Sequence, residues 1–491
     1  MSILAFDIGT SAVKASLVSS DGKIIDSASK AYETISVRQS WAEQDPQVWF
    51  DCALEMSNEL FGRNEGMSGG VEVIGVCGHM LGLLPVDADG APLRHSLIHA
   101  DSRAAGQADF ILDNIIDRQR LYEISGSVLN AQSPLSKALW VKQNEPEVYG
   151  RAAKFLQTKD YLVSRLTGNI DATDYSDASH AVLIDIHKKQ YLYDIFRELG
   201  LDKSKFPTLY RGTDIAGALT PGAARALGLK AGVPVIAGGG DGACANLGVG
   251  ISAAKGNAYI NLGTTAWIAA DSLTPVIDEK ARIFDIMSLD GDTFGVFGTM
   301  QAAGKCVSWI RKLLRYPDFE QFKQDAATAP PGSSGLLFLP YLEGERAPIF
   351  DSKARGVFFG LSPEHARAHF GRAVMEGVGF ALRSILDVFR ETGAYDEMRV
   401  IGGGAKNELW KRIITDICDV NLESGEDSDS ITSLGVALAA AVGAGMYKSL
   451  SEAAQSVATA GRMSPDGASR AAYDAMYEKF VNLYQSVKHL Y

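Results

Sequence analysis

ILAFDIGTSAVKASLV, residues 3–18, opens the chain with an apolar run, a polar turn and a second run in which apolar and polar residues alternate. A period of two is typical of β-strands, and Asp, Gly, Thr and Ser favour turns. The stretch therefore predicts two paired strands, and Asp21-Gly22 predicts a turn into a third. The layout returns as strand Ala258–Asn261, turn Leu262-Gly263-Thr264-Thr265 and strand Ala266–Ala270, which predicts two lobes of one architecture.

Helical and further strand segments fill the space between and after these hairpins. Asp45 and Pro46 have the residue types of an N-cap and a first helical position, and they predict a helix that runs to about Phe61. Further strands are expected at Val71–Val76 and Leu83–Val86, and helices at 103–124, 134–149, 159–167, 303–315, 363–392 and 406–418, with more helices inside 446–491. This mixture predicts an α/β protein with an N-terminal lobe at 1–247 and a C-terminal lobe at 248–491.

Length and composition are those of a globular enzyme. The 491 residues are too many for one hydrophobic core, so two large lobes or three domains are expected, and two lobes make a cleft possible. Apolar residues make up 46% of the chain, and 47 basic against 59 acidic residues leave a net charge of −12. A dispersed negative charge disfavours nucleic acid and anionic membranes as partners.

The cysteines and the chain start indicate a reducing, cytoplasmic location. The five cysteines are widely spaced and lack a C-x-x-C pair, so neither a disulfide framework nor a zinc site is expected. The N-terminus lacks a basic region and reaches Asp7 at once, unlike a signal peptide. The weakly polar stretch Leu434–Met446 is shorter than the roughly 20 residues of a membrane span.

The two glycine turns are candidate phosphate sites. Without a Cβ, Gly9 and Gly263 let backbone N–H groups and hydroxyls approach phosphate oxygens. A carboxylate at the end of the preceding strand, Asp7, can hold Mg²⁺, because hard cations take oxygen ligands. Each turn alone is also compatible with an ordinary hairpin, but two turns at the same place in two lobes suggest two phosphate clamps.

Three glycines precede a single carboxylate in Gly238-Gly239-Gly240-Asp241-Gly242, at the end of an apolar strand. Phosphoryl transfer to an alcohol needs a carboxylate that accepts the hydroxyl proton, and the glycines would leave room for a substrate beside Asp241. Two alternatives remain open: Asp241 caps the following helix, or the glycines form a dinucleotide-binding turn. The dinucleotide fingerprint would need an acidic residue about 20 positions on, where Asn261 stands.

A second glycine run, Gly402-Gly403-Gly404, leads from a strand into a helix that begins around Asn407. A bare backbone and a helix N-terminus suit a nucleotide, although a purely structural strand-to-helix turn fits these residues as well. Gly304-Lys305-Cys306 is not a P-loop, because Cys306 stands where Mg²⁺ would need Ser or Thr.

Together these residues resemble the FGGY family of carbohydrate kinases from Leu4 to about Tyr447. The turn at Asp7–Ser11 resembles the family's first phosphate motif, Gly263–Thr265 its second and Gly402–Trp410 its adenosine motif. Its two signature regions are similar to Pro134–Trp140 and to Pro340–Pro348 with its continuation to Leu361.

The resemblance implies two ribonuclease-H-like, actin-like domains that close on ATP and a small sugar. It also implies that Asp241 is the catalytic base, that Asp7 organises Mg²⁺, and that the acceptor is a terminal hydroxyl of a ketopentose such as xylulose. The sugar pocket departs from the xylulose-phosphorylating members at four positions, so another ketose or polyol remains an alternative. These positions are His79, Leu81, His99 and Gly242.

The predicted site follows from these motifs and from the resemblance. The residues expected to contact the sugar are Met80, Leu81, Asp101, Asp241 and Gly242. The residues expected to contact ATP are Thr10, Ser11, Lys14, Thr264, Gly304, Gly404 and Asn407. From a different class, an actin-fold ATPase or a sugar sensor without kinase activity is the rival, and a homodimer is one option for the assembly.

Overall fold

The computed structural model of the protein describes residues 2–38, 40–253, 257–393, 395–425 and 430–491. The strands are β1 (Ser2–Ile8), β2 (Ala12–Ser19), β3 (Ile24–Ala31), β4 (Ile35–Arg38), β5 (Trp41–Gln44), β6 (Val71–Gly78), β7 (Leu84–Val86), β8 (Ser96–Leu97), β9 (Lys154–Leu156), β10 (Ala172–Asp174), β11 (Ile184–Asp185), β12 (Gln190–Tyr191), β13 (Thr208–Tyr210), β14 (Ile215–Ala218), β15 (Pro234–Ile236), β16 (Gly239–Gly240), β17 (Ala258–Leu262), β18 (Ala266–Ser272), β19 (Phe284–Met287), β20 (Phe294–Met300), β21 (Leu337–Leu339), β22 (Val357–Phe359), β23 (Glu397–Ile401), β24 (Asn421–Gly425) and β25 (Thr459–Met463).

The α-helices are α1 (Pro46–Arg63), α2 (Ala105–Asn114), α3 (Arg118–Ser125), α4 (Pro134–Asn144), α5 (Pro146–Arg151), α6 (Thr158–Thr167), α7 (Tyr175–His180), α8 (Tyr193–Glu198), α9 (Pro221–Leu227), α10 (Asp241–Val249), α11 (Gly304–Leu313), α12 (Phe319–Thr328), α13 (Arg367–Arg390), α14 (Glu408–Cys418), α15 (Ile431–Gly443), α16 (Leu450–Ala454) and α17 (Gly467–Val487). Among the residues described, no helix is both long enough and apolar enough to cross a membrane.

The chain forms two compact units that are not continuous in sequence. The first unit comprises Met1–Lys255, Asp271–Val296 and Ser430–Val457, and the second comprises Gly256–Ala270, Phe297–Asp429 and Ala458–Tyr491. Two segments from the second half of the chain thus belong to the unit that contains the N-terminus. The assignment of functional roles to 1–247 and 248–491 stays a prediction.

The first unit is built on a mixed sheet with the order β14-β15-β6-β1-β2-β3, with β16 also paired to β6. β1 is antiparallel to β2, as the hairpin at residues 3–18 predicts, and it is also parallel to β6. Both faces of β1 are covered, which explains its almost unbroken apolar run. Helix α1 supplies Trp49 and Phe50 to the core on one face, and Asp45 caps it through a 3.0 Å bond from the Gln47 N–H.

Helix α15 covers the other face and explains why a late segment joins the first unit. It packs with α10 and with apolar side chains of β1 and β6, and small residues make this packing close. A Cβ on Gly435 would lie 1.8 Å from the Cys244 carbonyl oxygen, and one on Gly75 would lie 2.7 Å from that of Val436. The Gly- and Ala-rich sequence here therefore serves close helix packing.

The second unit repeats the plan of the first. Its strands follow the order β20-β18-β17-β23-β24-β25, with β17 antiparallel to β18 and parallel to β23. β17, β18 and β23 thus correspond in pairing to β1, β2 and β6. The predicted repeat of a strand, a glycine turn and a second strand is confirmed.

Several predicted boundaries differ from the observed ones. The helix expected at 103–124 is divided into α2 and α3, because Asp117 caps a new helix through the Arg120 N–H. The helix expected at 134–149 is divided where Pro146 starts α5. The helices expected inside 446–491 are present as α16 and α17, and β25, which the sequence does not predict, lies between them and pairs antiparallel with β24.

Candidate active site

Asp241 lies in the first turn of α10, directly after β16. β16 pairs with β6: Gly239 is opposite Cys77, and Gly240 is opposite Gly78. The helix therefore begins beside the last residue of β6. Gly240 is the N-cap, and an Asp241 carboxylate oxygen accepts the Gly242 N–H at 2.8 Å. Asp241 is therefore the first residue of the helix and not its N-cap residue, although its carboxylate does accept an N–H of the first turn.

The glycines before Asp241 serve a purpose that the sequence did not indicate. Gly238 has φ of 72°, and a Cβ there would lie 1.8 Å from the Val76 carbonyl oxygen. A Cβ on Gly240 would lie 2.5 Å from the Met80 side chain. The glycines thus allow backbone and side chains to pack tightly, and they bring Met80 next to the residue that precedes Asp241.

Asp7, on β1, and Asp241, which directly follows β16, lie at the same end of the first sheet, with β6 between the two strands. Asp7 on β1 is opposite Cys77 on β6, and Cys77 is opposite Gly239 on β16. Burial raises the pKa of Asp241 to about 7, with a further contribution from the negative charge of Asp7 and an opposing one from the Gly242 N–H. Burial also raises the pKa of Asp7 to about 6, although Lys14 and the Cys77 thiol oppose the shift.

The first glycine turn presents its hydroxyl residues to solvent. The Gly9 N–H donates to the Ala12 carbonyl at 3.0 Å, and both Thr10 and Ser11 are exposed. Lys14 is opposite Asp7 across the hairpin and stabilises its charge. The predicted site residues of this hairpin therefore lie together at one end of the sheet. They are Asp7, Thr10, Ser11 and Lys14.

Gln44 was not among the predicted site residues, but it connects this turn to His79. Its side-chain amide is buried, donates to the Thr10 carbonyl at 2.8 Å and accepts from the Trp49 indole N–H at 3.1 Å. The His79 Nε2 lies 3.2 Å from the Gln44 Oε1. Gln44 directly precedes the predicted helix cap Asp45, but burial of an amide leaves no pattern in a sequence, so its role was not predicted.

The predicted sugar contacts Met80 and Leu81 follow His79 directly. Burial, with the neighbouring His99 and Lys137, lowers the pKa of His79 to about 3, so this imidazole is neutral. Met80 is buried, while Leu81 is partly exposed with φ of 63°. The Leu81 carbonyl accepts from the Lys137 ammonium at 2.7 Å, which holds this unusual conformation.

Asp101 is fully buried, and its carboxylate is already engaged. One oxygen accepts the Ala42 N–H at 2.7 Å, and Arg103 contacts both oxygens at 2.7–3.0 Å. A carboxylate with these bonds has little capacity left for a sugar hydroxyl. Its predicted contact with the sugar stays a prediction, and the geometry favours a role in supporting the pocket wall.

In the second unit, the glycine turn and the start of α11 form one structure. The Gly304 N–H donates to the Gly263 carbonyl at 2.9 Å, and the Lys305 N–H donates to the Thr264 carbonyl at 3.2 Å. A Cβ on Gly304 would lie 2.6 Å from the Gly263 oxygen. The structure thus brings the predicted ATP contacts Thr264 and Gly304 together, and Thr264 is exposed like Thr10.

The second glycine run lies against the same turn. A Cβ on Gly402, where φ is 89°, would lie 2.7 Å from the Asn261 Oδ1, and one on Gly404 would lie 2.6 Å from Leu262. Asn407 caps α14 through its Oδ1, which accepts the Trp410 N–H at 3.3 Å. The Asn407 Nδ2 is buried and has no hydrogen-bond partner among the described residues, which fits a site that donates to a ligand.

These features are the parts of a phosphotransferase that acts on an alcohol. They comprise a carboxylate with a pKa near neutrality, a second carboxylate beside it, and in each unit a glycine turn that presents a hydroxyl. Among the described residues, no three His, Cys, Asp or Glu side chains form a metal-binding group. A metal that depends on Asp7 would therefore take its other ligands from water and phosphate.

Comparison with known proteins agrees with this class. Residues 2–248 match the N-terminal domain, and residues 258–444 the C-terminal domain, of the FGGY family of carbohydrate kinases. The chain is 34% identical to the xylulose kinase of Bacillus subtilis (strain 168), over 99% of this chain and 97% of that one. The chain belongs to the FGGY family, and it is an ATP-dependent carbohydrate kinase.

Solved structures support the same assignment. The ligand-bound xylulose kinase from Lactobacillus acidophilus superposes with a TM-score of 0.93 at 27% identity, covering 99% of this chain and 98% of that chain. The gluconate kinase from the same organism gives a TM-score of 0.92 at 27% identity, with the same coverage. The fold is therefore that of the family, with two ribonuclease-H-like domains.

Proposed function

We propose that this kinase transfers the γ-phosphate of ATP to a terminal primary hydroxyl of a ketopentose, with xylulose as the first candidate. The observation that carries the proposal is the Asp241 carboxylate, whose pKa of about 7 suits a general base at neutral pH. The choice of xylulose rests on relatives that are named xylulose kinase and that align with 99% of this chain.

In the proposed reaction, Asp241 accepts the proton of the sugar hydroxyl while the hydroxyl oxygen forms a bond to the γ-phosphorus. The bond from that phosphorus to the β,γ-bridging oxygen breaks, and ADP leaves. Mg²⁺ held through Asp7 would neutralise charge on the phosphates. Thr10, Ser11 and Lys14 of the first unit, with Thr264 and Gly304 of the second, are proposed to contact the phosphates, and Gly404 and Asn407 the nucleoside.

The sugar is proposed to contact Met80, Leu81 and Gly242 beside the base. Leu81 offers no hydrogen bond, and Gly242 has no side chain, so fewer polar groups select the sugar at these positions. One relative of high structural similarity is named a gluconate kinase. Another ketose, a polyol or an aldonate is therefore the second candidate for the acceptor.

A coupled assay of ADP release over pentuloses, hexuloses, polyols and gluconate tests the proposal. We expect the highest kcat/KM with xylulose and ADP release that depends on sugar. The variant Asp241→Asn should lower kcat by about 10³-fold or more while ATP still binds, because a positioned base contributes rate and not affinity. Sugar-independent ADP release would instead indicate an ATPase, and no release with any acceptor would indicate a sensor.

A further inference from the structure

The backbone in front of Asp241 is bonded to a buried polar chain that the reaction itself does not use. The Gly240 N–H donates to the Ser176 hydroxyl at 3.0 Å, and that hydroxyl donates to the Asp174 carboxylate at 2.5 Å. Both Ser176 and Asp174 are fully buried. A backbone group one residue from the catalytic base is thus bonded to a charged side chain through a single hydroxyl.

Asp174 is itself held by a buried lysine. The Lys159 ammonium lies 3.0 Å from one Asp174 oxygen, and it also contacts Asp160 at 2.5 Å and Asp177 at 3.3 Å. Burial lowers the pKa of Lys159, but the three carboxylates outweigh it, so the pKa is raised well above its ordinary value. The ammonium therefore stays charged and anchors Asp174.

This cluster is costly to bury, and the bond from the Gly240 N–H connects it to the segment that precedes Asp241. Removing several charges from water costs free energy that mutual attraction recovers only in a good geometry. Asp174 also accepts the Ser176 N–H at 2.8 Å and so caps α7, which alone would give the cluster a structural role. The bond from Gly240 to the Ser176 hydroxyl goes beyond that role, because the start of α7 does not depend on it.

We propose that Ser176 is a positioning residue for catalysis, which through the Gly240 N–H fixes the start of α10 and hence the direction of the Asp241 carboxylate. The inference rests on the proposed role of Asp241 as the base. The glycine segment needs such a fixing bond, since residues without side chains are held only by their backbone contacts. Asp174 and Lys159 act behind Ser176 by orienting its hydroxyl.

The variant Ser176→Ala leaves the buried Gly240 N–H without its acceptor. We expect kcat to fall by about tenfold or more, because a small misplacement of a catalytic group is costly, while the KM for ATP stays within about twofold. Hydrogen exchange in a peptide that covers residues 238–242 should become faster. The matched control is Ser164→Ala, since Ser164 is also buried on a helix and its hydroxyl donates to the Tyr161 carbonyl of the same helix, at 2.8 Å.

Ser176→Thr keeps the hydroxyl and should retain most of the kcat that Ser176→Ala loses. An unchanged kcat in Ser176→Ala overturns the inference, and so do equal losses in the Thr and Ala variants. If Ser176→Ala does not fold, the test uses the kcat of Ser176→Thr and hydrogen exchange of the 238–242 peptide in the wild type. The inference requires the Gly240 N–H to exchange slowly in the wild type. Retained activity in Asp241→Asn would refute the role of Asp241 as the base. An inactive Asp241→Asn together with a fully active Ser176→Ala would refute only the positioning role of Ser176.

Discussion

At the scale of single residues, the proposed chemistry depends on two carboxylates, Asp241 and Asp7, whose pKa values are raised by burial. Asp241 with a pKa of about 7 is ionised in only part of the molecules at neutral pH. Asp7 is the neighbouring charge that contributes to the shift. The pair therefore titrates in the range where the enzyme is expected to work.

The first prediction concerns the pH dependence of the reaction. A base must be deprotonated, so kcat/KM should rise with pH and level off above about pH 7. Replacement of Asp7 by Asn removes the charge that raises the pKa of Asp241. The inflection of the residual activity should then move to lower pH, as measured in a pH profile at saturating Mg²⁺, and an unmoved inflection would contradict the coupling.

The second prediction concerns stability. The pKa of Asp241 is raised in the folded state. The free energy of unfolding should therefore fall as the pH rises from the pKa of the unfolded carboxyl towards about 7. Asp241→Asn cannot ionise, so at pH 8 it should raise the free energy of unfolding by up to about 4 kcal/mol, the value of a pKa shift from 3.8 to about 7.

The gain from Asp241→Asn should shrink as the pH falls from 7 towards 4, because the carboxyl of the unfolded wild type then also becomes protonated and the folded and unfolded states no longer differ in ionisation. Urea unfolding of the wild type and of Asp241→Asn at pH 8 and at pH 4 measures this difference in the free energy of unfolding. The control is Asp89→Asn, which makes the same substitution at an exposed position of the first unit. A loss of stability at pH 8 in Asp241→Asn would contradict the burial argument.

At the scale of elements, both units use the same device, a strand that ends in a glycine turn beside a parallel strand. In the first unit the turn is connected through Gln44 to His79, and in the second it is bonded to the start of α11. Helix α14 begins beside the second turn, and the side-chain NH₂ of its cap residue, Asn407, has no hydrogen-bond partner among the described residues.

The third prediction separates these two roles of Asn407. Asp at this position caps a helix as well as Asn, but it cannot donate a hydrogen bond. Asn407→Asp should leave the melting temperature nearly unchanged and raise the KM for ATP by about tenfold, the value of one lost hydrogen bond, with the KM for sugar unaltered. Steady-state kinetics and calorimetry measure both.

Asp117 provides the control for the role of Asn407. It is an exposed cap on α3 in the first unit, where Asp117→Asn preserves the cap and should change neither constant. An unchanged KM for ATP in Asn407→Asp would remove Asn407 from the nucleotide site.

At the scale of the whole molecule, the first unit is completed by a segment far along the chain. Helix α15 at 431–443 covers one face of the first sheet together with α10, through contacts too close for any side chain on Gly435 or Gly248. Without it, apolar side chains of β1 and β6, among them Ile3 and Val73, would face water.

The fourth prediction follows from this arrangement. A fragment of residues 1–247 should not fold by itself, although it spans nearly the whole N-terminal family domain. We expect no cooperative thermal transition and strong binding of a hydrophobic dye, whereas the full chain should melt cooperatively and bind little dye. A cooperative transition in the fragment would show that α15 is dispensable.

Local signals in the sequence were enough for the hairpins, the helix capped by Asp45, the repeat of the plan and the identity of the candidate base. Each depends on neighbours in the chain: alternation, turn residues, caps and glycine runs. The grouping of Thr10 with Asp7, and of Thr264 with Gly263, follows for the same reason.

Only the tertiary structure decided how distant segments meet. It placed Gly304 on the second turn, showed that the glycines before Asp241 serve close packing, added β25 to a sheet and brought α15 to the first unit. It also revealed Gln44 and Ser176, whose roles consist of hydrogen bonds to residues far away in sequence. The composition of a chain determines which groups can bond, but the burial that raises a pKa or leaves an amide unpaired exists only once the chain is folded.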